Sequence, residues 1–165
     1  MQGIYILLGT NLGDREENLL QARRLIGQRV GKVLRSSNVY ATAAWGITEQ
    51  PDFLNQVVIV ETAMSPNDLL KALLQIEQDM GRVRIVKWGE RIIDLDVLYY
   101  HDTILDTQDL KIPHVGIAER RFTLVPLVEL SADAIHPVLG KSQRQLLAEC
   151  PDVSEVKLFS SAVGR

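Results

Sequence analysis

Two periodicities of apolar residues alternate along the first hundred positions of the chain. Short apolar runs at 4–8, 53–62 and 92–100 have the length and composition of buried strands, and 32–40 can form another strand. At 15–29 and 66–80 the apolar residues instead recur every three or four positions, which predicts helices. The predicted order of elements is therefore strand, helix, strand, strand, helix, strand.

Residues at the ends of both predicted helices support these boundaries. Asp14 can accept a hydrogen bond at the start of the first helix, and Pro66 suits the first turn of the second. Gly81 is well placed to end the second helix. In the remaining third of the chain, the sequence predicts a loop at 112–121 and helices at 124–130 and 143–149.

This order of elements is that of the split βαβ, or ferredoxin-like, sandwich. We expect an α+β fold in which helices cover one face of an antiparallel sheet, and in which the last third forms a C-terminal extension. No repeat, low-complexity segment or linker divides the sequence. Residues 1–165 are therefore expected to form a single domain.

Composition restricts the partners and the compartment. The 165 residues carry a formal net charge of −3, which argues against bulk binding to nucleic acid or to anionic membranes. No window is apolar enough to span a membrane, and the run at 4–8 is too short for a signal peptide and lacks basic residues before it. The one cysteine, Cys150, excludes an intrachain disulfide and fits a reducing compartment. We therefore expect a cytoplasmic protein in which any anion site is local.

Asp94 and Asp96 lie in the last of the predicted strands. Because side chains alternate along a strand, both carboxylates are expected on one face, roughly 7 Å apart. Two like charges at this distance favour a cation. Oxygen-only ligation suits Mg²⁺, which takes one or two carboxylates together with substrate phosphates and water. The spacing is equally compatible with a solvent-facing edge strand whose aspartates pair with Arg or Lys.

Basic side chains are close to this pair in the sequence. Arg82, Arg84 and Arg91 precede it, and His114 with Arg120 forms a second polar group in an otherwise apolar region. Arginine can bind phosphate oxygens through two parallel hydrogen bonds, so these side chains could hold a phosphorylated ligand opposite the cation. For each of them taken singly, a solvated surface position is the alternative.

Aromatic and amide residues form a third candidate group. Phe53 and Asn55 are two positions apart at the start of a strand, where they could stack on a planar heterocycle and hydrogen-bond to its edge. Phe122 could supply a second stacking face. Trp88, within the charged segment 82–91, suits a mobile lid. The alternative for either phenylalanine is a place in the core.

Taken together, these motifs resemble those of the 6-hydroxymethyl-7,8-dihydropterin pyrophosphokinases, a family of folate-pathway enzymes. The similarity runs nearly from end to end, and its block R-x-x-D-[LIV]-D-[LIV] is specific to that family. Five blocks in order carry it: GTNLG at 9–13, QPDFLN at 50–55, Glu77 with GRVR at 81–84, WGERIIDLDV at 88–97, and Pro113-His114 followed by Arg120 and Phe122.

The resemblance implies transfer of a pyrophosphoryl group from ATP to the hydroxymethyl oxygen of the pterin, with release of AMP. It implies two Mg²⁺ ions at Asp94 and Asp96. We expect a monomer whose partners are ATP and the pterin, with neither nucleic acid nor membrane among them. By the same resemblance, the catalytic residues are Arg82, Arg91 and Asp96; the nucleotide-binding residues are Glu77, Arg84, Trp88, Val97, His114 and Arg120; and the pterin-binding residues are Thr42, Ala43, Trp45, Phe53, Asn55 and Phe122.

Some positions depart from the family pattern, and two other functions stay open. Ala43, Ala44 and Trp45 stand where prolines and an aliphatic residue are common, so this loop is expected to be more mobile or to close differently. A nucleotide- or pterin-binding module without turnover needs fewer charges than this chain carries. A ferredoxin-like RNA-binding domain needs aromatic pairs on its central strands and a basic face, and the sequence has neither.

Overall fold

The structure is a computed structural model, and it describes residues 1–43, 51–81 and 92–160. The strands are β1 (Ile4–Thr10), β2 (Lys32–Ser36), β3 (Val39–Thr42), β4 (Phe53–Glu61), β5 (Asp94–Tyr100), β6 (Leu105–Asp106), β7 (Lys111–Ile112) and β8 (Lys157–Ser160). The helices are α1 (Arg15–Arg29), α2 (Pro66–Asp79), α3 (Arg121–Ser131) and α4 (Gln143–Glu149), with a 3₁₀ turn at Ile117–Glu119.

The strands form one large sheet and one small one. The large sheet has the order β5-β1-β4-β3-β8, and β2 also pairs with β4, beyond the end of β3. Strands β6 and β7 form a separate two-stranded sheet. All pairings between these strands of the described chain are antiparallel. The prediction of an antiparallel sheet combined with helices is therefore confirmed.

The first two helices begin where the sequence predicts. The Asp14 side chain accepts a hydrogen bond from the Glu17 backbone N–H at 3.1 Å, and Ser65 accepts one from Asp68 at 3.2 Å. Each contact satisfies one of the N–H groups that a helix leaves without a partner in its first turn. Within the described ranges, no helix is long and apolar enough to cross a bilayer.

The prediction of one strand over 32–40 is wrong. Two strands, β2 and β3, occupy this region, and β3 continues to Thr42, two residues beyond the end of the predicted strand. Ser37 lies at the break. Its backbone N–H donates to the Val57 carbonyl at 2.8 Å, while its hydroxyl accepts from the Val57 N–H at 3.0 Å. The Ser37 hydroxyl thus accepts from a β4 N–H in place of a backbone carbonyl, and β2 and β3 separate there.

The two helices of the predicted βαββαβ unit, α1 and α2, do share one face of the sheet, but the helices of the C-terminal extension cover the opposite face. On one face, α1 and α2 bury side chains such as Ile26 and Leu73 against Ile6 and Val58. On the opposite face, α3 and α4 pack on another core, which includes Tyr5, Val57 and Tyr99. The apolar C-terminal third therefore closes the second face of the sheet. The predicted loop at 112–121 contains the end of β7 and the 3₁₀ turn.

A β-bulge in β5 sets which residues face which core. Tyr5 pairs with Tyr99 and Ile6 with Val97, so Leu98 is the extra residue. Leu98 and Tyr99 consequently both join the core beneath α3 and α4. Before the bulge the strand alternates regularly, and Leu95 and Val97 belong to the core of α1 and α2.

Candidate active site

Asp94 and Asp96 share the face of the sheet that carries α3. Their neighbours Leu95 and Val97 are buried on the opposite face, beneath α1 and α2, and side chains alternate along the strand. Both aspartates are half-buried. This geometry agrees with the prediction of one shared face, although their role as metal ligands stays a prediction.

A row of directly paired residues runs across three strands from Asp94. Asp94 pairs with Gly9, and Gly9 pairs with Asn55. Directly opposed residues lie on the same face of a sheet, so Asp94 and Asn55 share a face with their backbones about 10 Å apart, which is two strand spacings. Gly9 between them has no side chain. A Cβ built there would lie only 2.9 Å from Asn55 Oδ1. The missing side chain lets the Asn55 amide lie close over the backbone of β1, on the same face as the carboxylates.

Glu77 holds the backbone between the two aspartates. It lies near the end of α2, and only 5% of it is exposed. Its Oε2 accepts a hydrogen bond from the Leu95 N–H at 2.7 Å. Because β5 is the edge strand of the sheet that the structure describes, Glu77 accepts from an N–H on the outer side of that strand. Glu77 was expected to bind the nucleotide. The structure brings it against the strand that carries the candidate ligands.

His114 lies near both Asp96 and Arg120, since the charge of each affects its pKa. The His114 N–H donates to the Leu98 carbonyl at 2.9 Å, and its ring Nδ1 accepts from the Gly116 N–H at 3.0 Å. Burial lowers the pKa of His114. The negative charge of Asp96 raises that pKa, and the positive charge of Arg120 lowers it further. The neutral ring therefore carries its hydrogen on Nε2, where it can donate to an anion. Arg120 packs its guanidinium over Gly116, where a Cβ would lie 2.7 Å from Nε.

The candidate pterin residues gather at the other end of the row. Thr42 pairs directly with Phe53, and the Asn55 Nδ2 donates to the Thr42 hydroxyl at 3.5 Å. Thr42 and Asn55 are buried, whereas Phe53 and Phe122 are half-buried. Phe122 is the second residue of α3. Beside Thr42 and Phe122 there is a cavity of about 370 Å³, which Ala43 also lines.

The structure does not bring every expected residue to this face. Val97, which the resemblance implies for the nucleotide, is buried in the core beneath α1 and α2. Trp45, Arg82, Arg84, Trp88 and Arg91 lie outside the described residues, so the expected lid lies outside them as well. The roles of all six stay predictions.

The donor set of the site suits a hard cation that shares its ligands with a substrate. Among the residues that the structure describes, no group of three or more His, Cys, Asp or Glu side chains is close enough to enclose a metal ion. The site instead offers two half-buried carboxylates on one face. Mg²⁺ typically takes one or two carboxylates from the protein and completes its coordination shell with phosphates and water. The residues present therefore fit Mg²⁺.

Two features of the site were not recognised from the sequence. Gly9 has no role among the sequence predictions, although a glycine inside an apolar strand signals the close approach of another group. Asp152, near the end of the chain, also lines the cavity beside Phe122. The sequence carries no comparable signal for it, because only the fold brings it there.

Comparison with known proteins identifies relatives over most of the chain. The family model described as 7,8-dihydro-6-hydroxymethylpterin-pyrophosphokinase matches residues 5–132. Proteins named 2-amino-4-hydroxy-6-hydroxymethyldihydropteridine pyrophosphokinase are similar in Aquifex aeolicus, with 36% identity over 90% of this chain and 92% of that protein, and in Methylorubrum extorquens, with 39% identity over 90% and 94%.

Longer proteins contain a similar region. The folic acid synthesis protein fol1 of Schizosaccharomyces pombe is 39% identical over 95% of this chain, which spans only about a fifth of its length (21%). The crystal structure of HPPK-DHPS from Plasmodium falciparum has a TM-score of 0.68 and 19% identity over 89% of this chain and 43% of its own. At that identity, the structural match supports the fold alone.

Proposed function

The chain belongs to the 7,8-dihydro-6-hydroxymethylpterin-pyrophosphokinase family, and we propose that it transfers pyrophosphate from ATP to the hydroxymethyl oxygen of 6-hydroxymethyl-7,8-dihydropterin. The products are the pterin diphosphate and AMP, in folate biosynthesis. One structural observation supports this activity in addition to family membership. The row Asp94, Gly9 and Asn55 puts carboxylates for a cation and an amide for a heterocycle on one face of the sheet, with only a glycine between them.

At the Asn55 end of the row, the residues suit a flat, polar heterocycle. Phe53 and Phe122 offer aromatic rings, and stacking on one such ring contributes about 1–3 kcal/mol, by analogy with nucleic acid bases. Asn55 and Thr42 are buried, so an amide and a hydroxyl there bind most strongly to a ligand that satisfies them. A pterin has an aromatic face and a polar edge, and both requirements are met.

At the other end, Asp94 and Asp96 would hold two Mg²⁺ ions. When bound, the ions neutralise the triphosphate and favour in-line transfer. Glu77 fixes the strand between the carboxylates through the Leu95 N–H. His114 can donate from Nε2 to a phosphate oxygen, and Arg120 beside it supplies a positive charge.

The remaining parts of the proposal rest on the resemblance and on sequence composition. We assign Arg82, Arg84 and Arg91 to the phosphates, Trp88 to a closing lid, and Trp45 to the pterin side.

The strand order β5-β1-β4-β3, with one helix after β1 and one after β4, supports a ferredoxin-like version of the fold. We also propose a single domain over 1–165 that acts in the cytoplasm as a monomer, without nucleic acid.

Turnover separates this proposal from a module that only binds. The protein is incubated with ATP, Mg²⁺ and 6-hydroxymethyl-7,8-dihydropterin, and nucleotides are separated by chromatography. AMP is expected to form only when the pterin is present. Asp94→Asn is the matched control, since it removes a charge from the same fold. Binding of both ligands by calorimetry without AMP would contradict the proposal and favour a binding module.

A further inference from the structure

The start of α3 depends on a residue from the far end of the chain. Arg120 precedes the helix and supplies no side-chain cap, and the first turn contains no acidic residue. The first backbone N–H groups of a helix have no partner within it. Here the Arg121 N–H donates to Asp152 Oδ2 at 3.0 Å. Asp152 therefore does for α3 what a capping residue usually does from the adjacent position.

The Asp152 carboxylate is itself held in place. Its other oxygen, Oδ1, accepts hydrogen bonds from both the N–H and the hydroxyl of Ser154, the first of them at 2.9 Å. The Ser154 hydroxyl lowers the pKa of Asp152 most, and the backbone N–H groups of Ser154 and Arg121 add to that effect. The carboxylate is thus ionised at neutral pH. Ser154 orients it through Oδ1, which leaves Oδ2 to accept from the first N–H of α3.

The chain after Ser154 connects this cap to the opposite wall of the proposed pterin site. It leads into β8, where Lys157 pairs with Ala41 of β3, one residue before Thr42. Asp152 and Ser154 line the cavity of about 370 Å³ together with Thr42 and Phe122. The C-terminal segment therefore spans from the strand that carries Thr42 to the helix that carries Phe122.

The other half of α3 is anchored separately, so the Asp152 contact acts on the Phe122 end. Glu129 accepts hydrogen bonds from the Tyr40 hydroxyl at 2.6 Å and from the Asn38 N–H at 3.0 Å. These contacts fix α3 to β3 seven or more residues beyond Phe122. Phe122 is in the first turn, beside Arg121, where helices fray most readily.

We propose that Asp152 is a positioning residue for the pterin, because it caps α3 and thereby fixes the ring of Phe122 opposite Thr42. This inference rests on the proposed function. It adds a residue beyond position 132, where the match to the family model ends. Asp152 acts through Phe122, so its loss should affect the pterin and spare the nucleotide.

The test compares Asp152→Ala with Asp152→Asn and with Ser142→Ala. Ser142 caps α4 through its own side chain, so it is a matched control at a helix that carries no proposed site residue. Affinities for 6-hydroxymethylpterin and for a non-hydrolysable ATP analogue with Mg²⁺ are measured by calorimetry. Hydrogen exchange of the Arg121 and Phe122 amides is followed by NMR without ligand.

For Asp152→Ala, faster exchange at Arg121 and Phe122 and pterin affinity weakened by about fivefold are expected, which corresponds to the loss of one capping contact. ATP affinity should stay unchanged. Asparagine keeps one acceptor oxygen that can cap α3, but its amide nitrogen cannot accept from a backbone N–H, so Asp152→Asn should lose less pterin affinity than Asp152→Ala. Ser142→Ala should lower stability without changing pterin affinity. If Asp152→Ala does not fold, Ser154→Ala, which removes one hydrogen bond that orients Asp152, should show a smaller loss in the same direction.

Three results would overturn the inference. The first is unchanged pterin affinity in Asp152→Ala or, if that variant does not fold, in Ser154→Ala. The second is an equal loss for the pterin and the ATP analogue. The third is a loss of pterin affinity in Ser142→Ala as large as that in Asp152→Ala, because general destabilisation would then explain both. A wild-type protein that binds no pterin would overturn the proposed function itself, and the role of Asp152 with it, so the two failures are distinguishable.

Discussion

Replacing Gly9 with alanine adds a single methyl group and tests the close approach of the Asn55 amide to the backbone of β1. The new Cβ would lie 2.9 Å from Asn55 Oδ1, closer than real Cβ contacts come. Asn55 is buried and its amide donates to Thr42, so the side chain must leave its position or its preferred rotamer. The mutation therefore acts on the amide that we assign to the edge of the pterin.

The expected changes in stability and in binding differ in size. Gly9 does not have a positive φ, so alanine fits the strand backbone and regains about 0.5–1 kcal/mol of the conformational entropy that glycine loses. Displacement of the Asn55 side chain costs about 0.5–1.5 kcal/mol. These two contributions to the free energy of unfolding nearly cancel. Loss of the Asn55 contacts to ligand costs about 1–3 kcal/mol, which weakens pterin binding roughly five- to 150-fold.

Calorimetry with 6-hydroxymethylpterin and thermal unfolding measure the two effects separately. We expect a Tm within about 4 °C of wild type, since 1 kcal/mol corresponds to about 2–4 °C in a domain of this size, and clearly weaker pterin binding. Gly27→Ala is the matched control, because Gly27 is exposed on α1 with nothing within 4 Å of the added Cβ. Unchanged pterin affinity in Gly9→Ala would refute the role that we assign to the Asn55 amide.

The remaining predictions concern the metal ligands, the stacking ring and Glu77. Asp94→Asn or Asp96→Asn should reduce turnover at least about a hundredfold in a folded protein, as followed by AMP release and circular dichroism, since their charge serves the cation. Near-native rates at saturating Mg²⁺ would contradict this. Phe122→Ala should weaken pterin binding about tenfold and leave ATP affinity unchanged in calorimetry; equal losses would indicate a role in the fold. Glu77→Ala should expose the Leu95 N–H to faster exchange and weaken Mn²⁺ binding by electron paramagnetic resonance, whereas Glu77→Gln, which can still accept that hydrogen bond, should keep the N–H protected. Similar exchange in both Glu77 variants would rule out the positioning role.

Local patterns predict those parts of the fold that are decided within one element. The bounds of α1 follow from apolar spacing and from Asp14, and alternation in β5 puts Asp94 and Asp96 on one face. The break at Ser37 depends on hydrogen bonds to β4, so no local pattern reveals it. Strand β8 is exposed at three of its four positions and carries no apolar alternation.

The candidate site shows the same division between local and long-range information. The order of motifs indicates which residues belong to it, but the register between strands decides that Gly9 lies between Asp94 and Asn55. The contact of Asp152 with Arg121 joins residues 31 positions apart. Periodicity does not contain such pairings, because they form only when elements distant in sequence pack together.

Transfer of pyrophosphate as one unit is the central claim, and phosphorus NMR of the completed reaction tests it most directly. With ATP, Mg²⁺ and 6-hydroxymethyl-7,8-dihydropterin, the account predicts AMP and a pterin diphosphate in equal amounts, with two coupled phosphorus signals on the pterin. Formation of ADP with a single phosphorus on the pterin, or ATP left intact beside bound pterin, would contradict it.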